Sequence, residues 1–114
     1  MKIVINADTD TKRMKGLMNH RPITLAECAF FDFPYEGKHS FWNKNVSFPI
    51  SLVFCDKNFN VKDIRKLVAE QTESVGPESY NIKYVIETHV DAPKEYKIAI
   101  GKKVVKNKET ILFV

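Results

Sequence analysis

The side chains of this sequence best suited to chemistry are concentrated in residues 40–54, where the only Trp, three Phe and the cluster Asn43-Lys44-Asn45 fall within fifteen positions. Trp42 offers a flat face on which a sugar or base could stack, and Lys44 and Asn45 add a charge and an amide for hydrogen bonding. With His20 or Arg21 they define a candidate small-ligand pocket. The simpler assignment puts Trp42 in the core, where truncation to Ala would cost about 3–5 kcal/mol. Lys44 and Asn45 would then pin an irregular link between strands through hydrogen bonds to backbone.

Other constellations carry less. Ser40, Ser47 and Ser51 lie near His39 in sequence, but no Gly-x-Ser-x-Gly elbow is present, and four scattered Gly build no phosphate-cradling loop. His20, His39 and His89 lack metal-ligand spacing, with no Cys or acid at the short intervals typical of zinc sites. The reading therefore assigns no catalytic residue, no metal and no cofactor. Cys28 and Cys55 sit in the apolar runs Cys-Ala-Phe-Phe and Val-Phe-Cys-Asp and read as free, buried thiols rather than a disulfide. Asn45-Val46-Ser47 is formally a glycosylation acceptor, which matters only in an exported protein.

The 114 residues and 13.2 kDa are the size of a single domain able to bury a core without staples, and 44% hydrophobic with 28% charged residues argues against disorder. No apolar run approaches the roughly 18 residues of a membrane span. The first residues offer far less than the roughly 7–15 apolar positions of a secretory signal, so the expected location is the cytoplasm or a phage particle. Fifteen Lys against three Arg, with abundant Asn, is the bias of AT-rich coding, which many microbial and phage genomes share. The net charge of +4 is uneven: residues 94–108 hold Lys94, Lys97, Lys102, Lys103, Lys106 and Lys108 against one Glu. Such a run could meet nucleic acid, but it contains no Arg, the usual reader of phosphate forks and base edges. A solvated strand pair is the favoured reading.

The elements that must position these groups are short. Residues 2–7 alternate as a strand. Asp8 or Thr9 caps a helix over 10–18, with Met14, Leu17 and Met18 on one face and Gly16 admitting a close neighbour. Residues 28–33 read as a buried strand stopped by Pro34, 35–38 as a turn, and 41–45 and 48–55 as extended pieces. A turn at 56–58 leads into a strand over 59–68, a polar loop follows over 70–80, and 83–90 is β-rich. Asp91-Ala92-Pro93 opens a helix that Gly101 closes, and 102–106 and 110–114 are terminal strands. Many short strands at close intervals predict an α+β, mainly β fold, a small antiparallel barrel-like sheet with two short helices.

Several of these segments together resemble one family. The helix from Ala7-Asp8-Thr9 to Gly16-Leu17-Met18, Phe31-Asp32-Phe33, Phe41-Trp42-Asn43-Lys44-Asn45 with Pro49-Ile50-Ser51-Leu52-Val53-Phe54, Tyr84-Val85-Ile86-Glu87 and residues 98–101 are similar to the domain of unknown function 192 family. The resemblance covers almost the whole chain. It implies a small β-rich barrel-like domain and brings no established reaction, cofactor or catalytic set. Four positions depart from the family pattern: His20 in place of Arg, with Arg21 one step late; Asn43 in place of Met; Ser51 in place of an acid; and Lys102 in place of Asp after Gly101. If relatives share a polar site with that Arg and those acids, the resemblance implies that this chain has lost or altered it.

The functional expectation is a non-enzymatic interaction or structural module that contacts a protein partner or a second copy of itself, with a decoration-like role in a phage particle as one setting. The alternative is a small-ligand binder or enzyme with its pocket at Trp42, Lys44 and Asn45, extended by His20, Arg21 and Ser51.

Overall fold

A computed structural model describes residues 1–114. Its elements are β1 (Lys2–Ala7), α1 (Asp10–Lys15), β2 (Glu27–Gly37), β3 (Ile50–Cys55), β4 (Val61–Leu67), β5 (Ile82–His89), α2 (Ala92–Glu95), β6 (Val104–Lys106) and β7 (Ile111–Phe113). The mainly β reading with two short helices stands; the expected antiparallel barrel-like sheet is instead a mixed five-stranded sheet with a separate hairpin, and it does not close into a barrel. Five strands form a mixed sheet in the order β1-β2-β5-β3-β4, and β6 and β7 form a separate hairpin. β1 and β2 run parallel because the chain between them carries α1, the crossover that a parallel pair requires. All other pairings are antiparallel. The hairpin is joined to both edges of the sheet, through the bridges Lys2 with Thr110 and Asn60 with Lys103 and through the N-terminal ammonium of Met1, which donates to the Ile111 carbonyl at 2.8 Å.

Both faces of the sheet are covered, so β3 is buried along its whole length. One face carries Ala29, Phe31, Leu52, Phe54 and Val85 under Leu17, Ile23, Val46 and Phe48 from the connecting segments. The other carries Cys28, Phe30, Val53, Cys55 and Ile86 under Ile98, Val104 and Ile111. Cys28 and Cys55 are free and buried, as their apolar settings require.

The differences from sequence expectation have local causes. α1 ends at Lys15, because Gly16 takes φ +47° and ψ −125°, outside helical space; Met14 is 77% exposed and only Leu17 of the expected apolar face is buried. β2 runs through Pro34 to Gly37 instead of stopping. Its pairing with β5 jumps from Asp32–Tyr84 to Gly37–Ile82, and β1 pairs no further than Phe31, so Pro34 stands where no ladder needs its missing N–H. Residues 41–45 are not a strand. Phe41 makes an isolated bridge to Val75, and Asn45 adopts φ +59°, a left-handed turn that Asn tolerates well. α2 is a single turn, left at Tyr96, with Lys97 at φ +53°.

Candidate functional site

The loop after β2 folds back over the sheet and is fastened by Asn43, which is fully buried. Its side-chain Nδ2 donates to the carbonyls of Phe48 and Val68, both at 2.9 Å, and its backbone N–H to Gln71 at 2.6 Å. The pinning role expected of Lys44 and Asn45 thus belongs to Asn43. Lys44 is exposed, and Asn45 contributes its carbonyl to the N–H of Asn19 at 2.8 Å. The amide oxygen of Asn43 is buried without a partner.

With the loop so held, Phe41 and Trp42 face the turn at the end of α1 and enclose a cleft of about 330 Å³. Phe31, Phe33 and Phe41 form its apolar wall; Phe41 meets Phe31 and Phe33 edge to face, with centroids 5.1 and 6.0 Å apart. Trp42, 45% exposed, stands at the mouth, and the Lys44 ammonium lies 5.4 Å from its ring centroid. Trp42 is therefore not core material, because the loop turns at Asn43 and leaves the indole on the surface. Across the cleft, Arg13 is held by the Asp32 carbonyl at 2.6 Å and the Asp10 carboxylate at 2.8 Å, and its guanidinium lies 5.5 Å from the Phe33 centroid.

Glu87 lines the same cleft. In the ladders it stands opposite Ala29 and Leu52, and directly opposed residues share a face, so its side chain rises from the buried face under α1. It is 4% exposed and makes no hydrogen bond or ion pair within the chain; desolvation pushes its carboxyl up to about 8. At neutral pH it is a largely neutral acid that can donate one hydrogen bond and accept another.

The cleft brings together Trp42 and Lys44 of the expected residues and leaves the others outside. His20 lies in a neighbouring hollow with Ile5, Asn6 and Lys12, its Nδ1 2.7 Å from the Arg21 carbonyl. Arg21 is committed to a two-pronged pair with Glu27 at 2.7 and 2.8 Å, which holds that carboxyl at about 2, below the usual carboxylate range. Ser51 is buried, paired in register with Thr88, and donates to the Val90 carbonyl at 3.0 Å. It alternates with Ile50 and Leu52, so it points to the face opposite the cleft. The basic residues Lys94, Lys97, Lys102, Lys103, Lys106 and Lys108 fall in α2, the β6–β7 hairpin and their links, and Lys106 covers the Phe30 ring at 5.0 Å. No three His, Cys, Asp or Glu side chains gather to hold a metal ion, and no helix is long and apolar enough to cross a membrane.

Glu87 was the residue that sequence reasoning passed over. Its signal was phase: it alternates with Val85 on a strand and so falls on a core position, where an unpaired acid is uncommon.

Residues 2–106 match the family model described as Uncharacterized ACR, DUF192. The chain belongs to the DUF192 family. Two solved structures share the DUF192 fold seen here. One is a candidate transcription regulator from Sinorhizobium meliloti 1021, with TM-score 0.80 and 19% identity over 95% of this chain and 78% of that one. The other is a protein of unknown function from Novosphingobium aromaticivorans DSM 12444, with TM-score 0.82 and 22% identity over 89% of this chain and 72% of that one. At these identities the likeness establishes the fold alone. No curated protein matches this DUF192 chain.

Proposed function

We propose that the protein is a small-ligand-binding module whose ligand occupies the cleft above Glu87, with Trp42 and Lys44 at its mouth. The observation that carries this reading is the Glu87 carboxyl, buried at the cleft with no partner from its own chain. The carboxyl is desolvated yet opens into the cleft, the fully buried unpartnered side-chain oxygen of the chain being that of Asn43, so a ligand in the cleft is within reach of a hydrogen bond to Glu87. Aromatic walls with a few convergent polar groups are the usual make-up of such a site. Backbone-amide NMR of the labelled protein during a fragment screen tests it. Hits should move the signals of Gly16, Phe31, Phe41 and Trp42 together and bind differently to Glu87→Gln. Hits that avoid this cleft, or bind the variant unchanged, would contradict the reading.

A second reading, a protein-interaction module, draws on the outer face of the β6–β7 hairpin. Val105 and Leu112 are cross-strand partners, 43% and 57% exposed, with Val114 also exposed at 61%. Sedimentation tests self-association through this face, and a strict monomer at high concentration would contradict it. For a place in a phage particle the support is the Lys-for-Arg bias of the sequence alone.

A further inference from the structure

We propose that the cleft ligand is a small organic anion, a carboxylate or phosphate on a flat apolar body, with its charged head at Lys44 and Lys15 and its body against Phe41 and Trp42. This deepens the ligand-binding reading and rests on it. The charges lining the cleft are Arg13, Lys15, Lys44 and Glu87. Arg13 is neutralised by Asp10 and engaged by the Asp32 carbonyl. Lys15 and Lys44 are exposed and belong to none of the ion pairs of the chain. Glu87, deep and largely protonated at neutral pH, offers a hydrogen bond rather than a negative charge.

The field at the mouth is therefore positive and attracts anions. An organic cation would meet two unpaired ammonium groups before reaching the carboxyl. The volume, about 330 Å³, lies at the lower end of the range for ligand pockets, so the body is of single-ring size. Carboxylate and phosphate share the chemistry that lysine reads, a compact negative charge.

Four probes of one shape separate the alternatives: phenylacetate, phenyl phosphate, phenylacetamide and phenethylamine, each titrated while following Trp42 fluorescence and the Gly16 and Phe31 amide signals. Both anions are expected to bind at least about threefold tighter than the neutral amide, and the amine weakest; the tighter anion identifies the head group. The double variant Lys15→Ala, Lys44→Ala should lose this order while still binding the amide, since both residues are exposed and their removal leaves the aromatic wall intact. An amine that binds as well as the anions, or an order that survives the double variant, would overturn the charge assignment and leave the pocket standing. Should none of the four move Trp42, Gly16 or Phe31, the charge assignment and the ligand-binding reading fail together.

Discussion

A Cβ placed on Gly16 would lie 3.7 Å from a carboxyl oxygen of Glu87 and 3.3 Å from Cζ of Phe31. The turn that ends α1 is thus the wall above the carboxyl, and its shape depends on a residue without a side chain. The same turn delivers Leu17 to the core and leaves Lys15 and Met14 at the rim. Helix end, buried acid and aromatic wall therefore form one mechanical unit.

Gly16→Ala should strain that unit twice, through a φ of +47° that L side chains rarely adopt and through the tight contact with Phe31. The expected loss is about 1–3 kcal/mol of unfolding free energy, measured by urea denaturation. Affinity of any cleft-binding fragment should fall as well. A variant as stable as the parent would show that the turn can rearrange freely.

Glu87→Gln should stabilise the protein, more so as pH rises. The folded carboxyl titrates at about 8 against an ordinary 4.5, so between those values the native state keeps a proton that the unfolded chain has released. Stability is therefore full below about 4.5 and falls as pH rises towards 8, at most by roughly 1.4 kcal/mol per unit. The gap between variant and parent should widen across this window in denaturation curves. A constant gap would mean that Glu87 ionises normally.

Asn43→Asp keeps the shape of the side chain and replaces the Nδ2 donor with an oxygen facing the carbonyls of Phe48 and Val68. The expected cost is about 3 kcal/mol or more, because a buried charge then meets two acceptors. Loss of the Trp42 signals characteristic of the closed loop should accompany it. A cost below about 1 kcal/mol would mean that the loop is held elsewhere.

The thiols of Cys28 and Cys55 are pushed up to about 12, chiefly by burial. Neither should react with a disulfide reagent at mildly alkaline pH until the protein is unfolded in urea, when both should. Rapid modification of the native protein would show that the face under α2 and the hairpin opens readily.

Most strand positions, the buried thiols and the family are legible in the sequence because each rests on local pattern: alternation, apolar runs, turn residues. The parallel pairing of β1 with β2 was not, since register depends on which strands the folded chain brings together. Pro34 misled because its rule holds for paired strands, and the bulge that frees it is a property of two strands at once. Trp42 and Lys44 were visible as a pair. Asn43, beside them, stands out as part of the polar cluster and as a departure from the family pattern, but its role needs the distant carbonyl of Val68. Glu87 alternates with Val85 on β5 and so shares its core phase, but that it faces the cleft depends on both of its neighbouring strands.

The most direct test of the cleft as a ligand site is carbon-13 NMR titration of the Glu87 carboxyl, free and with a saturating cleft-binding fragment. The expected result is a midpoint near 8 in the free protein that shifts measurably when the fragment binds. A midpoint near the ordinary 4.5, or one that saturating fragment leaves unmoved, would contradict it.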